Sequence, residues 1–494
     1  MTARTVYSPK MPLEPTLNVS PLPLSNFAHR DGVYDVVIVG FGAAGTCAAI
    51  EAARAGAKVL VLERTGGAGG AAALAEGILY MGGGTATQID AGVSDTKEAM
   101  RAYLMEACGP EVDVAKIDAY VEGSVGHHDW LVDLGIEFEP SIDLETQMAP
   151  KGTEGLVWSG GENAWPFNEI ATPAPRGHLA KTKRSTGWLL MQTLSEAAVA
   201  LGVEVLYDTK VERLLTNGDR VVGLEASRYG EPYIAQATKA VILCAGGFIY
   251  NDDMVAVHAP ELLQGTWKVG TEADDGRGIQ MGMALGAQTK SMHAGEVSLP
   301  IIPPRKLVEG ILVNGYGQRF INEDTYMGRV GQAALYDQGA TCFLIVDEAC
   351  YEPNWMGIEA AWVCETVEEL EQEMGLVPGA LAGTVALYNR HAENGEDPMF
   401  HKAKDYVRPL VPPLGAFDLR PGVAPSAPFT LGGLATNVDG QVLHIDGAAI
   451  PGLYAAGRTT SGVCSFGYAS GLSIGDSTYF GRLAGKAAAA EESR

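Results

Sequence analysis

The sequence predicts an α/β fold: a discontinuous domain built on a parallel sheet, with strands from both ends of the chain, and an inserted α+β cap domain. Three observations predict it. Near the N-terminus a β-branched run leads straight into a glycine-rich turn and then a helical pattern. From Gly432 onward the same strand, glycine turn and helix texture returns. Between them, from about 290 to 415, the texture changes to prolines and a very acidic helical stretch, Glu365 to Glu373. Glycine is in excess, 62 of 494 residues, against a usual level of about 7%. With 47% apolar residues and no collagen-like period, that excess marks backbone that turns tightly or approaches something closely.

Residues 1–32 hold five prolines between Pro9 and Pro23 and predict an extended arm laid on the surface. The first domain then runs over 33–288 and 419–494, and the inserted cap over 289–418. The net charge of −25 argues against nucleic acid and anionic membranes as partners. No run of about 18 apolar residues offers a membrane span, and the N-terminus lacks the apolar core of a secretory signal. Seven dispersed cysteines without a CxxC pair fit reduced thiols in a cytoplasm and offer no metal site. His127 and His128 are adjacent, so on a helix they do not share a face. No metal is expected.

Asp35 to Gly40 reads as a strand buried on both faces. Gly40-Phe41-Gly42-Ala43-Ala44-Gly45 follows, then a helix from Cys47 to Gly56, then a second strand, Lys58 to Glu63. This is the order of the Rossmann dinucleotide fingerprint. Gly40 permits the turn, Gly42 lets a pyrophosphate approach, and Gly45 lets the helix pack on the strand. The helix N-terminus faces the phosphates, and Glu63, 18 residues after Gly45 in the sequence, can accept both ribose hydroxyls. Two further Gly/Ala-rich stretches follow, Gly66 to Ala73 and Gly82-Gly83-Gly84. They suggest a long cofactor whose far half also rests on backbone, which favours FAD over NAD.

Helices are expected over 95–135 and 187–200, and loop over 140–185. Short strands follow at 203–207, 211–215, 221–226 and 240–244. Cys244 sits in the last of these as a small core residue. A helix ends at Gly286-Ala287. Toward the C-terminus, Ile450 to Gly457 reads as turn, strand and glycine, and Gly467 to Ala487 as a glycine-opened helix.

The opening DVVIVGFGAAG, LCAGGF at 243–248, DDGRGIQMGMALGA at 274–287, GQRFINED at 317–324 and IPGLYAAGR at 450–458 resemble the flavoprotein family of fumarate reductase and succinate dehydrogenase, which includes the ketosteroid dehydrogenases. The resemblance covers most of the chain from about residue 33. It implies non-covalent FAD, since the 66–73 segment carries no His for a covalent link. It also implies catalysis at the interface between the domains. By this resemblance the fingerprint turn Gly40, Gly42, Ala43, Ala44 and Gly45 holds the cofactor, with Glu63 and Arg64. Gly70, Ala71 and Ala72 join them, then Gly82, Gly83 and Gly84, then Val211, Ala245 and Gly246. From the C-terminal part come Gly457, Arg458, Gly471, Leu472 and Ser473. The fumarate branch places a His-Thr pair before a double glycine; here Phe429-Thr430-Leu431-Gly432-Gly433 stands instead. A dicarboxylate substrate is thereby disfavoured, though Arg305, Arg319 and Arg329 are near in sequence.

The stretch Gly457-Arg458-Thr459-Thr460-Ser461-Gly462 with Gly467-Tyr468-Ala469-Ser470-Gly471, and Asn322 to Tyr326, are similar to the 3-ketosteroid Δ4-(5α)-dehydrogenase branch. That branch is recognised by two tyrosines and a serine. Tyr468 and Ser470 match the Tyr-x-Ser part; Tyr326 matches the other tyrosine, with Tyr316 as a second candidate that would touch substrate.

The implied reaction removes a proton from C4 and a hydride from C5 of a 5α-3-ketosteroid, with FAD as hydride acceptor. The developing enolate needs donors where its charge appears, and the C4 proton needs a base within reach. Tyr468 and a backbone N–H near Gly471 would polarise the ketone. Tyr326 would act as base with Ser470 as partner, and these assignments can be exchanged. A tyrosine with its ordinary pKa near 10 is a poor base at neutral pH unless its pKa is lowered or it passes the proton on. An unidentified acceptor would take the electrons. An enoate or fumarate-type reductase running in the opposite direction is the alternative within the fold; a non-catalytic flavin redox sensor is the alternative of another class.

Overall fold

The computed structural model of the chain describes residues 19–143, 152–183, 185–299, 305–354 and 356–493. The first 18 residues of the expected arm lie outside the described residues. From there the chain joins the sheet directly: Leu22–Pro23 pairs in parallel with Leu215–Thr216 at its edge.

The sheet's parallel part has the spatial order Glu204–Leu206, Val59–Leu62, Gly32–Val39, the end of Glu231–Leu243, and Ala449–Ala455. The apolar runs seen in the sequence explain why. Val36 and Ile38 point into one core, packed with Val61, Leu194, Ile242 and Ala484. Val37 and Val39 point into the other, with Leu60, Leu214, Leu224 and Leu453. A strand apolar on both faces has to be covered on both. Strands from the two ends of the chain, Gly32–Val39 and Ala449–Ala455, flank the same strand, Glu231–Leu243.

That strand differs from the short one expected at 240–244. It is 13 residues long and serves two ladders. Its first half runs antiparallel to Gly223–Arg228, and its second half lies in the parallel sheet. Its first half holds only a three-residue apolar run, Tyr233 to Ala235, between Glu231-Pro232 and Gln236, too short to read as part of the same strand.

The C-terminal helix spans Leu472–Ala490. Residues 467–471, expected to open it, stay outside, because Gly471 takes φ +94° as its N-cap. The helix packs on the fingerprint helix, Ala43–Arg54, with almost no side chain between. A Cβ on Gly481 would stand 2.9 Å from Ala44 Cα, and one on Gly485 would stand 2.7 Å from Ala48 Cα. The two glycines are four residues apart and therefore share a face.

The inserted segment has its own core and an antiparallel sheet ordered Ile311–Val313, Phe343–Asp347, Leu414–Asp418, Trp362–Cys364. Helices Val367–Glu373 and Ala380–Ala392 accompany it. It is joined to the rest by two strands that pair with each other antiparallel, Gly295–Ser298 and Ala427–Thr430. The region read as loop contributes three two-residue strands, Ile142–Asp143, Leu156–Val157 and Gly177–His178, to a small sheet with Leu79–Tyr80. Strands this short leave no periodic signal. Among the described residues no helix is long and apolar enough to cross a membrane.

The helix contact gives a stability test by thermal unfolding. Gly485→Leu should cost at least about 2 kcal/mol, because backbone atoms cannot move aside. Gly383→Ala, in open space on an exposed helix, should instead gain about 0.5–1 kcal/mol.

Candidate active site

The fingerprint turn is built as the sequence requires. Gly40 has φ +95°, and a Cβ there would run into the carbonyl oxygen of Cys244. Gly45 lies beneath the turn, where a Cβ would meet the carbonyl of Gly40. Gly42 is the N-cap of its helix and makes no side-chain cap, so the first helical N–H groups keep no partner from it. Cys244 is buried, and burial pushes its thiol up to about 12, which leaves it inert at neutral pH.

Glu63 is buried. One carboxylate oxygen accepts from the Phe41 N–H at 2.8 Å, and the other accepts from the N–H and hydroxyl of Thr65, each at 2.8 Å. It thus braces the turn besides facing the cavity. Arg64 is held by Asp275 at 2.7 Å. Arg458 forks onto Asp274 at 3.0 and 3.1 Å, and Asp274 also accepts from the Gly247 N–H at 2.9 Å.

These groups open onto one cavity of about 730 Å³. Gly40, Gly42, Ala43, Ala44, Glu63 and Arg64 line it at one end. Gly70, Ala71, Ala72, Val211, Ala245 and Gly246 continue the wall, followed by Gly457, Arg458, Gly471 and Ser473. Gly69, Gly70, Gly246, Gly457 and Gly471 all hold positive φ, so main chain is brought up where a side chain would fill the space. The N-termini of the fingerprint and C-terminal helices, Ala43 and Leu472, both begin beside this wall. A long, backbone-lined cleft with two helix N-termini fits FAD.

Six predicted positions stand elsewhere. Gly45 and Leu472 pack behind the wall. Gly82, Gly83 and Gly84 spend their N–H groups on Ser124, Asp95 and Gln88, next to the buried Arg176–Asp95 pair. Tyr316 is 72% exposed on a turn and does not line the cavity. His127 bonds Thr478 and His128 bonds Thr87. Among the described residues no group of three His, Cys, Asp or Glu can hold a metal.

At the other end Tyr326, Tyr468 and Ser470 line the same cavity with Phe429, Met327, Glu296 and Ser298. The rings of Tyr326 and Tyr468 lie 6.3 Å apart, and Phe429 stands edge-on to Tyr468 at 5.2 Å. Tyr468 Oη accepts from the Ser473 N–H at 3.2 Å. Burial raises both phenols above their ordinary pKa, so each is a neutral O–H. Tyr326 donates to Glu296 Oε1 at 2.9 Å. Sequence reading missed Glu296. Its only signal was a lone acid in the apolar stretch Ala294 to Leu299, and nothing there indicates a tyrosine 30 positions later.

The arginines near in sequence are not at this end. Arg319 is held by Glu323 and Asp397 at 2.7 and 2.8 Å. Arg329 stacks on Phe167, and Arg305 on Tyr406. None lines the cavity. Among the described residues the cations that do, Arg64, Lys210, Arg277 and Arg458, each have a carboxylate partner.

Known proteins resemble the chain over most of its length. Residues 35–473 match the model of the family described as FAD binding domain. The chain is similar to the crystal structure of a 3-ketosteroid-Δ4-(5α)-dehydrogenase from Rhodococcus jostii RHA1 in complex with 4-androstene-3,17-dione. The identity is 48%, over 96% of this chain and 100% of that one, with a TM-score of 0.92. It is 28% identical to a 3-oxo-5-alpha-steroid 4-dehydrogenase of Comamonas testosteroni, over 86% of this chain and 92% of that protein. It is also 28% identical to a probable fumarate reductase of Shewanella frigidimarina, over 92% and 74% respectively.

Gly42→Asp tests the cofactor end. Gly42 has φ −81°, with no atom closer to a Cβ than Gly69 O at 3.8 Å, and Asp is a favoured N-cap. The variant should keep its thermal stability as apoprotein yet purify colourless, because a carboxylate would meet the pyrophosphate. Full flavin content measured by absorbance would contradict this placement.

Proposed function

Since this chain belongs to the FAD binding domain family, of the fumarate reductase and succinate dehydrogenase type, we propose that it desaturates 5α-3-ketosteroids between C4 and C5 with FAD as oxidant. The observation that carries this reading is the meeting of Tyr326, Tyr468 and Ser470 at the far end of the cofactor cavity. Phe429 stands where the fumarate branch has its His, and an apolar wall with no spare cation among the described residues suits a steroid better than a dicarboxylate. The 48% identity to a protein solved with 4-androstene-3,17-dione supports the same substrate class.

FAD, when bound, supplies the acceptor for the C5 hydride. The chain's residues do the rest. Tyr468, kept protonated by burial, donates to the 3-keto oxygen. The N–H groups that open the C-terminal helix at Gly471 place a positive dipole end at this cavity. Tyr326 and Ser470 stand to take the C4 proton. Phe429, Met327 and Tyr326 keep water from the reacting carbons. The seven free thiols, six of them buried, support a reducing, cytoplasmic setting. They offer no disulfide for a redox sensor.

Anaerobic mixing of the oxidised holoenzyme with a 5α-3-ketosteroid should bleach the flavin, while succinate should leave it oxidised. Tyr468→Phe should retain flavin and bleach about 10²–10³-fold more slowly, the usual loss for one oxyanion donor. Bleaching by succinate alone, or an unchanged rate in the variant, would refute the reading.

A further inference from the structure

Tyr326 is a neutral phenol, so it can accept a proton only if it gives one away. We propose that Glu296 receives that proton, making it the terminal acceptor for deprotonation at C4, reached through the Tyr326 hydroxyl. The inference rests on the desaturase reading and extends the site beyond its two tyrosines and serine.

The pair is built by close packing. Glu296 sits on Gly295–Ser298, one of the two paired strands that join the inserted segment to the rest. Tyr326 is the N-cap of the helix Met327–Gln332, which lies directly on that strand. A Cβ on Gly328 would run into Glu296 Oε1 and the Tyr326 ring, and one on Gly331 would meet the carbonyl of Val297. The two glycines thus let the helix approach until the phenol touches the carboxylate.

The carboxylate is set up to change charge. It is fully buried and lines the cavity. Oε1 accepts from Tyr326 at 2.9 Å and from Ser298 at 2.8 Å, while Oε2 is buried without a hydrogen-bond partner. The titratable groups that face it are phenols, Tyr326, Tyr468 and Tyr336. Among the described residues no Lys, Arg or His forms an ion pair with it. A carboxylate buried without a cation is costly, and here the cost has a use. Desolvation lifts its pKa to about 7, against the hydrogen bonds of Ser298 and Tyr326, which lower it. That is where a base working at neutral pH should lie.

The relay balances. The Tyr326 O–H bond breaks and its proton goes to the carboxylate. Tyr326 Oη takes the C4 proton, directly or through Ser470 Oγ. The C4–H electron pair becomes the new C4=C5 bond as hydride leaves C5 for oxidised FAD. The carboxyl group returns its proton to water once product has left. Acting through Tyr326, Glu296 is a positioning residue.

Single-turnover flavin reduction by a 5α-3-ketosteroid, followed against pH, tests this. The wild-type rate should rise with pH through about 7, the value to which burial raises the carboxyl. Glu296→Gln should retain flavin and steroid affinity, reduce flavin at least about 100-fold more slowly above that pH, and lose the rise. Glu296→Asp should recover part of the rate. Ser298→Ala removes a hydrogen bond that lowers the carboxyl's pKa, so it should move the rise to higher pH. A readout independent of turnover follows from linkage. A pKa raised in the folded state gives stability that is complete below about 4.5 and is lost as pH rises through about 7. Thermal unfolding should show that loss in the wild type relative to Glu296→Gln. A wild type that is bleached alongside a Gln variant of equal rate and equal pH profile overturns this inference alone. A wild type not bleached at any pH overturns the desaturase reading and this inference with it.

Discussion

Where Gly40 passes Cys244, two strands of the parallel sheet end against each other with no room for a side chain. The architecture depends on that backbone contact. It holds the fingerprint turn at the carboxyl edge of the sheet and aims the N-terminus of Ala43–Arg54 outward. Bare main chain then lines the cleft from Gly69 to Gly471. The C-terminal helix must come equally close, which is why Gly481 and Gly485 face the fingerprint helix. A cofactor domain assembled from chain segments some 400 residues apart in sequence is held together by contacts between glycines, alanines and backbone.

The same economy operates at the reacting end. Gly328 and Gly331 let a short helix of the inserted segment settle on the strand Gly295–Ser298, and the result is a phenol hydrogen-bonded to a buried carboxylate. Tyr468 arrives from the other direction, on the loop before the C-terminal helix. Two neutral donors, one serine and one carboxylate of raised pKa thus share an apolar pocket. Neutral Tyr468 suits stabilisation of a developing oxyanion, and the Tyr326–Glu296 pair suits removal of a proton.

Much of this was legible in the sequence. The strand–GxGxxG–helix–strand–acid order located one end of the cavity, because each of those residues answers a local demand of the turn. Tyr468 and Ser470 were singled out by a signature two residues apart, and Tyr326 by its neighbours Asn322 to Thr325; all three line the one cavity. What escaped depended on tertiary contact. Glu296 has no local pattern around it. Gly82–Gly84 looked like cofactor backbone but spend their N–H groups on Ser124, Asp95 and Gln88, which lie 42, 12 and 4 positions further along the chain. The long strand Glu231–Leu243 hid because Gln236, Thr238 and Lys239 interrupt its apolar residues and its first half is paired on a different ladder. Tyr316 was a candidate by sequence position, and only the turn that exposes it removes it from the pocket.

On the proposed reading a single cavity joins the cofactor cradle to a site that removes hydrogen from C4 and C5. Kinetic isotope effects on anaerobic flavin reduction test it most directly, with 5α-3-ketosteroids deuterated separately at C4, C5 and C1/C2. Slowing by deuterium at C5 and at C4, and none at C1 or C2, is the predicted result. An effect confined to C1 and C2, or deuterium loss from those carbons instead, would contradict the account.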